Sequence, residues 1–507
     1  MLVLTTAQMR EADAAACARL GEDVLMRNAG RHIATLIHRY ARSKRVVAFA
    51  GPGNNGGDAY AALAELEPTF DRELYAARAH SVSIARAAEE RRAGAAGVRV
   101  FPFPENMTNA REIIGGAGVV IDALFGTGAR LPMRDPYATV ARAMNESEAP
   151  VVCVDIPSGI DADTATVFDP AIRATATVTL GALKPGLLLD PARGLVGDLW
   201  LADIGIDAQS SSQRPAYAAL SDREFLALLP HRAATADKRS AGAPLIIAGS
   251  QQFPGAAVLC ARAAARAGAG YVTVATAPAA CATVRTHLIE QVVTEIATDS
   301  SPEQAVEVLL DTARHASAVA VGPGLGLDDR TGEIVRGFLR QTTLPFVADA
   351  SALFHFAKHR DVLNNSRCII TPHAGEFARL SGEGSVSDEQ RVTRLRTFAS
   401  QTGCTLLLKG RTTLIDDGTT IHLNSTGTAA LATAGTGDVL TGIIATLLSA
   451  GLPPVDAGRV GAYWHGLAGQ YAAAHRKIGV IAGDLPEVLA ACLPNIAAAR
   501  EDLQRIF

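Results

Sequence analysis

The stretch Ala432-Thr433-Ala434-Gly435-Thr436-Gly437-Asp438-Val439-Leu440-Thr441-Gly442-Ile443 runs from small, flexible residues into a carboxylate and then straight into an apolar, helix-like segment. A Gly-rich turn that opens a helix gathers backbone N–H groups at one spot, and the helix dipole adds positive potential there. Such a spot favours a phosphate or a developing oxyanion. Asp438 stands beside it, where a general base for a hydroxyl belongs. Taken alone, Gly-Thr-Gly-Asp is also ordinary turn chemistry, so its weight depends on the pattern around it.

That pattern is regular. Apolar, strand-like runs at Arg45–Ala50, Val119–Leu124, Val151–Asp155, Pro244–Gly249, Val319–Gly322, Pro345–Asp349, Cys368–Thr371 and Thr405–Lys409 alternate with Ala-rich helical stretches. Continuous apolar strands separated by helices predict parallel sheets covered on both faces, an α/β architecture. A chain of 507 residues suggests two or three domains. Apolar periodicity lapses at Asp207–Tyr217, which predicts a first domain over 1–210, a linker over 211–222 and a second domain over 223–507. Ser221–Pro230 reads as a short helix opening the second half. Each half has its own Gly-rich strand ends, so two sites are expected.

Composition narrows the function classes. The chain is 48% hydrophobic and 19% charged, enough to bury large cores and far from a disordered composition. A net charge of -4 gives no reason to expect nucleic acid or an anionic membrane surface as partner. The seven cysteines lack any C-x-x-C spacing, which points to reduced, buried thiols instead of a disulfide framework or zinc site. No signal peptide and no apolar run of membrane-spanning length is evident. The expectation is a soluble, cytoplasmic protein.

In the first half, Glu11 to Tyr40 reads as helical, with Leu25, Met26, Ala29, Ile33 and Ile37 on an apolar face. Strand Arg45–Ala50 runs into Gly51-Pro52-Gly53-Asn54-Asn55-Gly56-Gly57-Asp58 ahead of a helix at Tyr60–Glu67. The glycines and asparagines of this loop can adopt positive φ and bring backbone close to a ligand at the carboxyl end of a strand, a tight turn being the plainer reading. Val119 to Gly128 and Val151 to Gly159 end strands in Asp122 and Asp155. Asn55, Asp122 and Ser158 offer only oxygen donors with one formal charge, which suits a hard monovalent cation.

Four motifs in order, Ala50-Gly-Pro-Gly-Asn-Asn-Gly-Gly-Asp58, Asp122-Ala-Leu-Phe-Gly-Thr-Gly128, Val154-Asp-Ile-Pro-Ser-Gly159 and Gly181-Ala-Leu-Lys-Pro-Gly186, resemble the signature of NAD(P)H-hydrate epimerase domains. Leu25 to Gly30 is similar to that family's N-terminal helix motif, with Arg27 where Glu is common. The resemblance covers residues 8 to 207 and implies a Rossmann-like three-layer α/β/α domain. It implies substrate contacts from Asn54, Asn55, Gly56, Gly57 and Asp58 and from Gly126, Thr127, Gly128, Ala129, Arg130, Leu131 and Pro132. It implies K+ on Asn55, Asp122 and Ser158, and Asp155 as the acid/base. Ala59 replaces a common Gly. Such a carboxylate fits a reaction in which the hydroxyl at C6 of a hydrated nicotinamide ring leaves and water returns on the other face.

In the second half, strands end at Gly249, in the loop Val321-Gly-Pro-Gly-Leu-Gly326, at Asp349, ahead of His373 and Glu376, and at Lys409. Five polar or Gly-rich strand ends and the Gly435–Asp438 turn suggest one phosphate-handling cleft. Phe253-Pro-Gly-Ala256, Val321–Gly326, Thr371-Pro-His-Ala-Gly-Glu-Phe377, Leu408-Lys-Gly410, Gly435–Asp438 and His465-Gly-Leu-Ala-Gly469 resemble the NAD(P)H-hydrate dehydratase domain of the ribokinase-like superfamily. The resemblance implies that Phe253, Pro254, Gly255, Ala256, Gly324 and His373 touch the hydrated cofactor. Lys409, Gly410, Arg411, Thr412, Thr413, Gly435, Thr436 and Gly437 would hold the nucleotide, and Asp438 would be the base. Ser351, Thr428, Ala374, Ala434 and Gln470 depart from the family's usual residues.

The combined expectation is a bifunctional metabolite-repair enzyme. One domain interconverts the R and S forms of hydrated NADH or NADPH, using K+. The other dehydrates the S form with Mg2+ and ADP as phosphoryl donor, releasing AMP and phosphate. The resemblance also implies a homo-oligomer, a tetramer among its forms. The competing expectation is a small-metabolite kinase whose N-terminal module binds ligand without turnover.

Overall fold

The computed structural model describes residues 1–207, 215–296, 300–476, 478–495 and 502–507, without the side chains of residues 388 and 389. The chain forms two compact α/β units, Met1–Ala218 with Ala497–Phe507, and Ala219–Ile496. Among the described residues no helix is long and apolar enough to cross a membrane.

In the first unit the sheet order is Leu503–Arg505, Asp198–Ala202, Ala176–Leu180, Val151–Val154, Val119–Ala123, Arg45–Ala50, Asp71–Ala76 and Arg99–Pro102. Every pairing is parallel except that of Leu503–Arg505 with Asp198–Ala202. Alternate residues of a strand point to opposite faces. Val46, Ala48 and Ala50 therefore pack with Leu25, Ala29, Ile33 and Ile37, while Val47 and Phe49 pack with Val140, Ala141 and Met144. Three layers result, and both faces of the sheet are dry.

Several expectations change here. The predicted Glu11–Tyr40 segment is two helices, Thr6–Leu20 and Glu22–Tyr40, parted by Gly21 with φ of 90°. The predicted flexible loop is not one, because the helix Asn54–Glu65 begins at Asn54. None of Gly51, Gly53, Gly56 or Gly57 has positive φ. They are small because the chain is crowded: a Cβ on Gly56 would meet the Gly51 carbonyl oxygen at 2.3 Å, and one on Gly57 the Met26 methyl at 2.7 Å. Ala59, by contrast, is fully buried in the apolar layer. Finally, the chain's last strand lies within the predicted second domain yet pairs in the first unit's sheet, with Arg505 Nη2 donating to Asp198 Oδ1 at 2.6 Å. The predicted linker is also partly structured. Tyr217–Ala218 pairs antiparallel with Leu2–Val3, and Ser221 caps the helix Asp222–Leu228 through a capping box with Glu224. Residues 208–214 lie outside the described set.

The second unit orders its strands as Ile421–Leu423, Leu414–Asp416, Thr405–Leu408, Cys368–Ile370, Phe346–Ala348, Ala318–Val321, Pro244–Ile247, Thr273–Thr276 and Val292–Glu295. The first two join as an antiparallel meander and the rest are parallel. Most strands stop one or two residues before the sequence-based ends. Asp155, Gly249, Gly322, Asp349, Thr371 and Lys409 therefore emerge just past the carboxyl ends of parallel strands, where an open α/β sheet binds ligands. Asp122 is the exception and lies within its strand.

The helix Thr436–Ser449 is apolar nearly all round and packs against the helix Pro254–Arg266. Gly442 permits the approach, since a Cβ there would stand 2.2 Å from the Cys260 carbonyl oxygen. Overpacking of this kind costs about 1–3 kcal/mol. Gly442→Ala is expected to lower stability by that amount in denaturant titration, and an unchanged midpoint would contradict the contact.

Candidate active sites

In the first unit, Asp155 follows the strand Val151–Val154 with φ of 66°, a region that non-glycine residues seldom occupy and that persists where surrounding bonds impose it. Its N–H donates to the Val178 carbonyl at 2.7 Å. Its carboxylate accepts from Lys184 Nζ at 2.5 Å. Lys184 is 1% exposed and also donates to Thr179 Oγ1 and to the Leu180 carbonyl, both at 2.9 Å. All three ammonium protons are thus placed, and the pair can move little.

Asp122 is fully buried and accepts from Ser158 N–H at 2.9 Å, Ser158 Oγ–H at 2.7 Å and Leu124 N–H at 3.2 Å. Burial pushes its carboxyl upward, and the bonds from Ser158 and Leu124 pull the other way. Asn55, in the first turn of its helix, turns its amide oxygen to the same place as the Asp155 carboxylate. A Cβ on Gly126 would stand 3.4 Å from the one and 3.1 Å from the other. The Asn55 amide nitrogen is buried without a partner, while Asn54 Nδ2 donates to Glu22 Oε1 at 2.8 Å.

A cavity of about 820 Å3 opens in front of these groups, lined by Asn54, Asn55, Asp58, residues 126–132 and Asp155. Of the predicted contact residues, Gly56 and Gly57 are not brought to its wall, because they serve helix packing. Asp122 and Ser158 lie behind it. Lys184, Asp13 and Glu22 line it without having been singled out. Burial, then Glu22 and Asp155, push the Asp13 carboxyl up. The sequence signal for Lys184 is a lysine in an otherwise apolar motif, Gly181 to Gly186.

In the second unit, Gly435 enters the helix Thr436–Ser449 with φ of 91°. Thr436 Oγ1 donates to the Leu431 and Thr433 carbonyls at 2.9 and 3.0 Å, which ties the turn down. Asp438 lies in the first helical turn, its carboxyl pushed up to about 7 by burial and by Asp349, with Lys409 opposing. Asp349 is the hub: one oxygen accepts from Lys409 Nζ at 2.8 Å and the other from Thr441 Oγ1 at 3.0 Å. The next residue, Ala350, has φ of 49°. A Cβ on Gly437 would stand 3.4 Å from both the Asp349 carboxylate and Lys409 Nζ, so the ion pair abuts the helix N-terminus. Burial lowers the affinity of Lys409 for its proton, but Asp349 and Glu376 together hold the ammonium above its ordinary range.

Around this centre, His373 caps the helix Ala374–Ser381. Its Nδ1 accepts from Gly375 N–H at 3.0 Å, and its own N–H donates to Glu376 Oε2 at 2.8 Å. Gly324, with φ of 63°, lies against the Phe253 carbonyl, so these two predicted substrate residues adjoin. The loop Lys409–Thr413 is held by Arg391, whose guanidinium donates to the Lys409 and Thr412 carbonyls at 3.2 and 3.3 Å. Neither Asp349 nor Arg391 had been given a role from sequence.

Residues 22–186 match the model of the YjeF-related protein N-terminus, and residues 244–491 match that of NAD(P)H-hydrate dehydratase. Bifunctional NAD(P)H-hydrate repair enzymes of Pyrobaculum aerophilum and Moorella thermoacetica are each 35% identical, the first covering 92% of this chain and 93% of its own length, the second 98% and 97%. That of Mycobacterium tuberculosis is 37% identical and covers 89% of both. The chain belongs to the bifunctional NAD(P)H-hydrate repair enzyme family. A ribokinase-like superfamily protein from Enterococcus faecalis shares the fold of the second unit at a TM-score of 0.50 and 25% identity, over 55% of this chain and 96% of its own. In this chain, then, each matched region carries one strand-end centre built on a Lys–Asp pair.

Two measurements probe these centres. Removing one partner of a buried ion pair costs about 3–5 kcal/mol. Lys184→Met is therefore expected to destabilise the first unit by that amount, and the double variant Lys184→Met/Asp155→Asn by less. Asp438 has a folded-state pKa raised from 3.8 to about 7. Its ionised form is disfavoured in the fold, so its contribution to stability is lost as pH rises from its unfolded value through about 7. Asp438→Asn should raise the melting temperature above neutral pH and leave it unchanged below about 4. Equal gains at both ends would contradict the burial argument.

Proposed function

We propose that the first unit interconverts the R and S epimers of hydrated NADH and NADPH, and that the second dehydrates the S epimer to NAD(P)H with ADP as phosphoryl donor. The observation that carries the reading is the place of the Asp438 carboxyl, in the first turn of the helix Thr436–Ser449 whose N-terminus abuts the Lys409–Asp349 pair, where burial and Asp349 push it up to about 7. A general base works best with a pKa near the operating pH.

In the second unit Asp438 takes the proton of the C6 hydroxyl as its oxygen attacks the terminal phosphorus of ADP, and AMP leaves. The amides of Gly435 to Gly437 and the Lys409 ammonium face the charge on the transferred phosphoryl group. The C–O bond then breaks with phosphate as leaving group, assisted by the ring nitrogen, and loss of a proton from the neighbouring carbon restores the ring double bond. Phe253 to Ala256, Gly324 and His373 hold the hydrated ring, and Lys409 to Thr413 the nucleotide. Magnesium, brought with the nucleotide phosphates, would supply charge neutralisation there.

In the first unit Asp155 is the proton-transfer group. Asn55, Asp122 and Ser158 suit K+ by their chemistry: all are oxygen donors, and Asp122 is a fully buried carboxylate whose hydrogen-bond partners are neutral groups. A bound monovalent cation would supply the missing counter-charge and fix the Asn55 amide. Cytoplasmic location and homo-oligomeric assembly belong to the same reading.

The test follows the near-ultraviolet absorbance of reduced nicotinamide when a mixture of both epimers is supplied with ADP, and separately with ATP. Wild type should recover all of it. Asp155→Ala should recover the S fraction quickly and the rest slowly, and Asp438→Ala none. Exchange of K+ for Na+ should slow only the second phase. No recovery with either nucleotide would sink the assignment.

A further inference from the structure

Asp58 sits in the second turn of the helix Asn54–Glu65 and lines the 820 Å3 cavity with Asp155. It is 8% exposed, and among the described residues no group hydrogen-bonds or ion-pairs with its carboxyl. A buried, unpartnered carboxyl aimed into a cavity is costly unless it has a task or a ligand. The charges around it come from every neighbouring element. They are Asp13 on Thr6–Leu20, Glu22 and Arg27 on Glu22–Tyr40, Arg86 and Glu89 on Ile84–Ala95, and Asp155 with Lys184 at the strand ends. Among the described residues Arg10, Arg130 and Arg134 also line the cavity without pairing with Asp58, and Arg86, Arg27 and Lys184 are committed elsewhere. Arg86 donates to the Gly51 and Gly53 carbonyls, Arg27 faces Asp23 and Glu89, and Lys184 is spent on Asp155. Burial first, then the carboxylates of Asp155, Asp13, Glu22 and Glu89, push the Asp58 carboxyl well above its ordinary range.

Of the four carboxyl groups that line the cavity, Asp13 is exposed, Glu22 accepts from Asn54, Asp155 is paired with a lysine, and Asp58 is buried with nothing. Two carboxyls held in such different surroundings as those of Asp155 and Asp58 suit a division of labour between base and acid. Epimerisation needs both. A hydroxyl must leave one face of the ring as water, and water must be deprotonated as it adds to the other.

We propose that Asp58 is the second proton-transfer group of the epimerising cavity, giving its proton to the C6 oxygen while Asp155 receives one from the incoming water. Protonation of the C6 oxygen lets the C–O bond break with its electron pair on oxygen. The ring nitrogen lone pair forms the C=N bond of an iminium ion, and one water is released. A water attacks C6 from the opposite face, the C=N pair returns to nitrogen, and Asp155 takes the surplus proton. Transfer of that proton back to Asp58 through solvent closes the cycle, and the reverse reaction uses the same groups with roles exchanged. This assignment rests on the epimerase reading above.

The experiment uses the full chain and follows the two epimers directly by chromatography without nucleotide, so that dehydration does not intervene. Asp58→Asn keeps shape and removes the proton. The expected result is a fall in epimerisation kcat of about 10²-fold or more, the usual range for a general acid, with KM changed less than about threefold and the melting temperature unchanged or raised. The double variant Asp58→Asn/Asp155→Asn should fall little further than the worse single variant, since groups acting as a unit are not additive. A second measurement needs no variant: wild-type kcat should fall on the alkaline side as Asp58 loses its proton. Undiminished kcat in Asp58→Asn, a rise in KM alone, or a flat alkaline limb in wild type overturns the proposal. Absence of epimerisation in wild type overturns the underlying reading instead, so the two failures are distinguishable.

Discussion

A parallel sheet covered on both faces accommodates a charge most readily just past the ends of its strands, and both units use those positions. Residues inside the strands are mostly apolar, because their side chains meet helices on either side, and Asp122 is tolerated there only with donors from Ser158 and Leu124. The first residue beyond the strand is free of that demand. Asp155, Asp349 and Lys409 occupy such positions, and each is still mostly buried. An ion there loses several kcal/mol of hydration unless a partner of opposite charge and further hydrogen bonds replace it. Lys184 does this for Asp155, with its remaining protons on Thr179 and Leu180. Lys409 and Thr441 do it for Asp349. The two centres differ in fold position and in chemistry, but the same electrostatic requirement built them.

The pairs also decide which carboxyls are available for proton transfer. A lysine-paired carboxylate is held in place by its partner, whereas a neighbour that lacks such a partner is raised by burial and by the paired carboxylate's own charge. In the second unit this division separates Asp349 from Asp438. In the first it separates Asp155 from Asp58, and Asp122 is buried a third way, with its oxygens taken by Ser158 and Leu124 donors. The backbone at Asp155 and Ala350 adopts positive φ at these same points, so the surrounding structure holds conformations that an isolated chain would avoid.

How far the sequence could be read follows the range of the interaction concerned. Strand runs, their Asp and Gly endings and the Gly435–Asp438 helix start are local patterns, and the structure reproduces them within a residue or two. The Asn54–Asp58 segment was misjudged because glycine has two uses. Gly56 and Gly57 signal flexibility in isolation, but here they remove Cβ atoms that would strike Gly51 and Met26. Lys184 reaches its partner 29 residues away and Lys409 one 60 residues away, and Arg391 acts on carbonyl groups that carry no side-chain signature. No spacing rule reports contacts of that kind.

The final strand illustrates the same limit at the scale of domains. Leu503–Arg505 is too short and too polar to announce itself, yet its pairing with Asp198–Ala202 puts a charged residue, Arg505, against Asp198 on what would otherwise be the sheet's open edge. An exposed edge offers unpaired N–H and C=O groups to any other chain, so this short segment does more for the first unit than its burial suggests. It also makes the second unit, in chain order, an insertion between two parts of the first. A cut at the apparent linker near residues 211–222 would leave the first unit without the strand that closes its edge. Separating the two activities cleanly thus requires keeping residues 502–507 with the N-terminal piece, a conclusion that composition alone would have reversed.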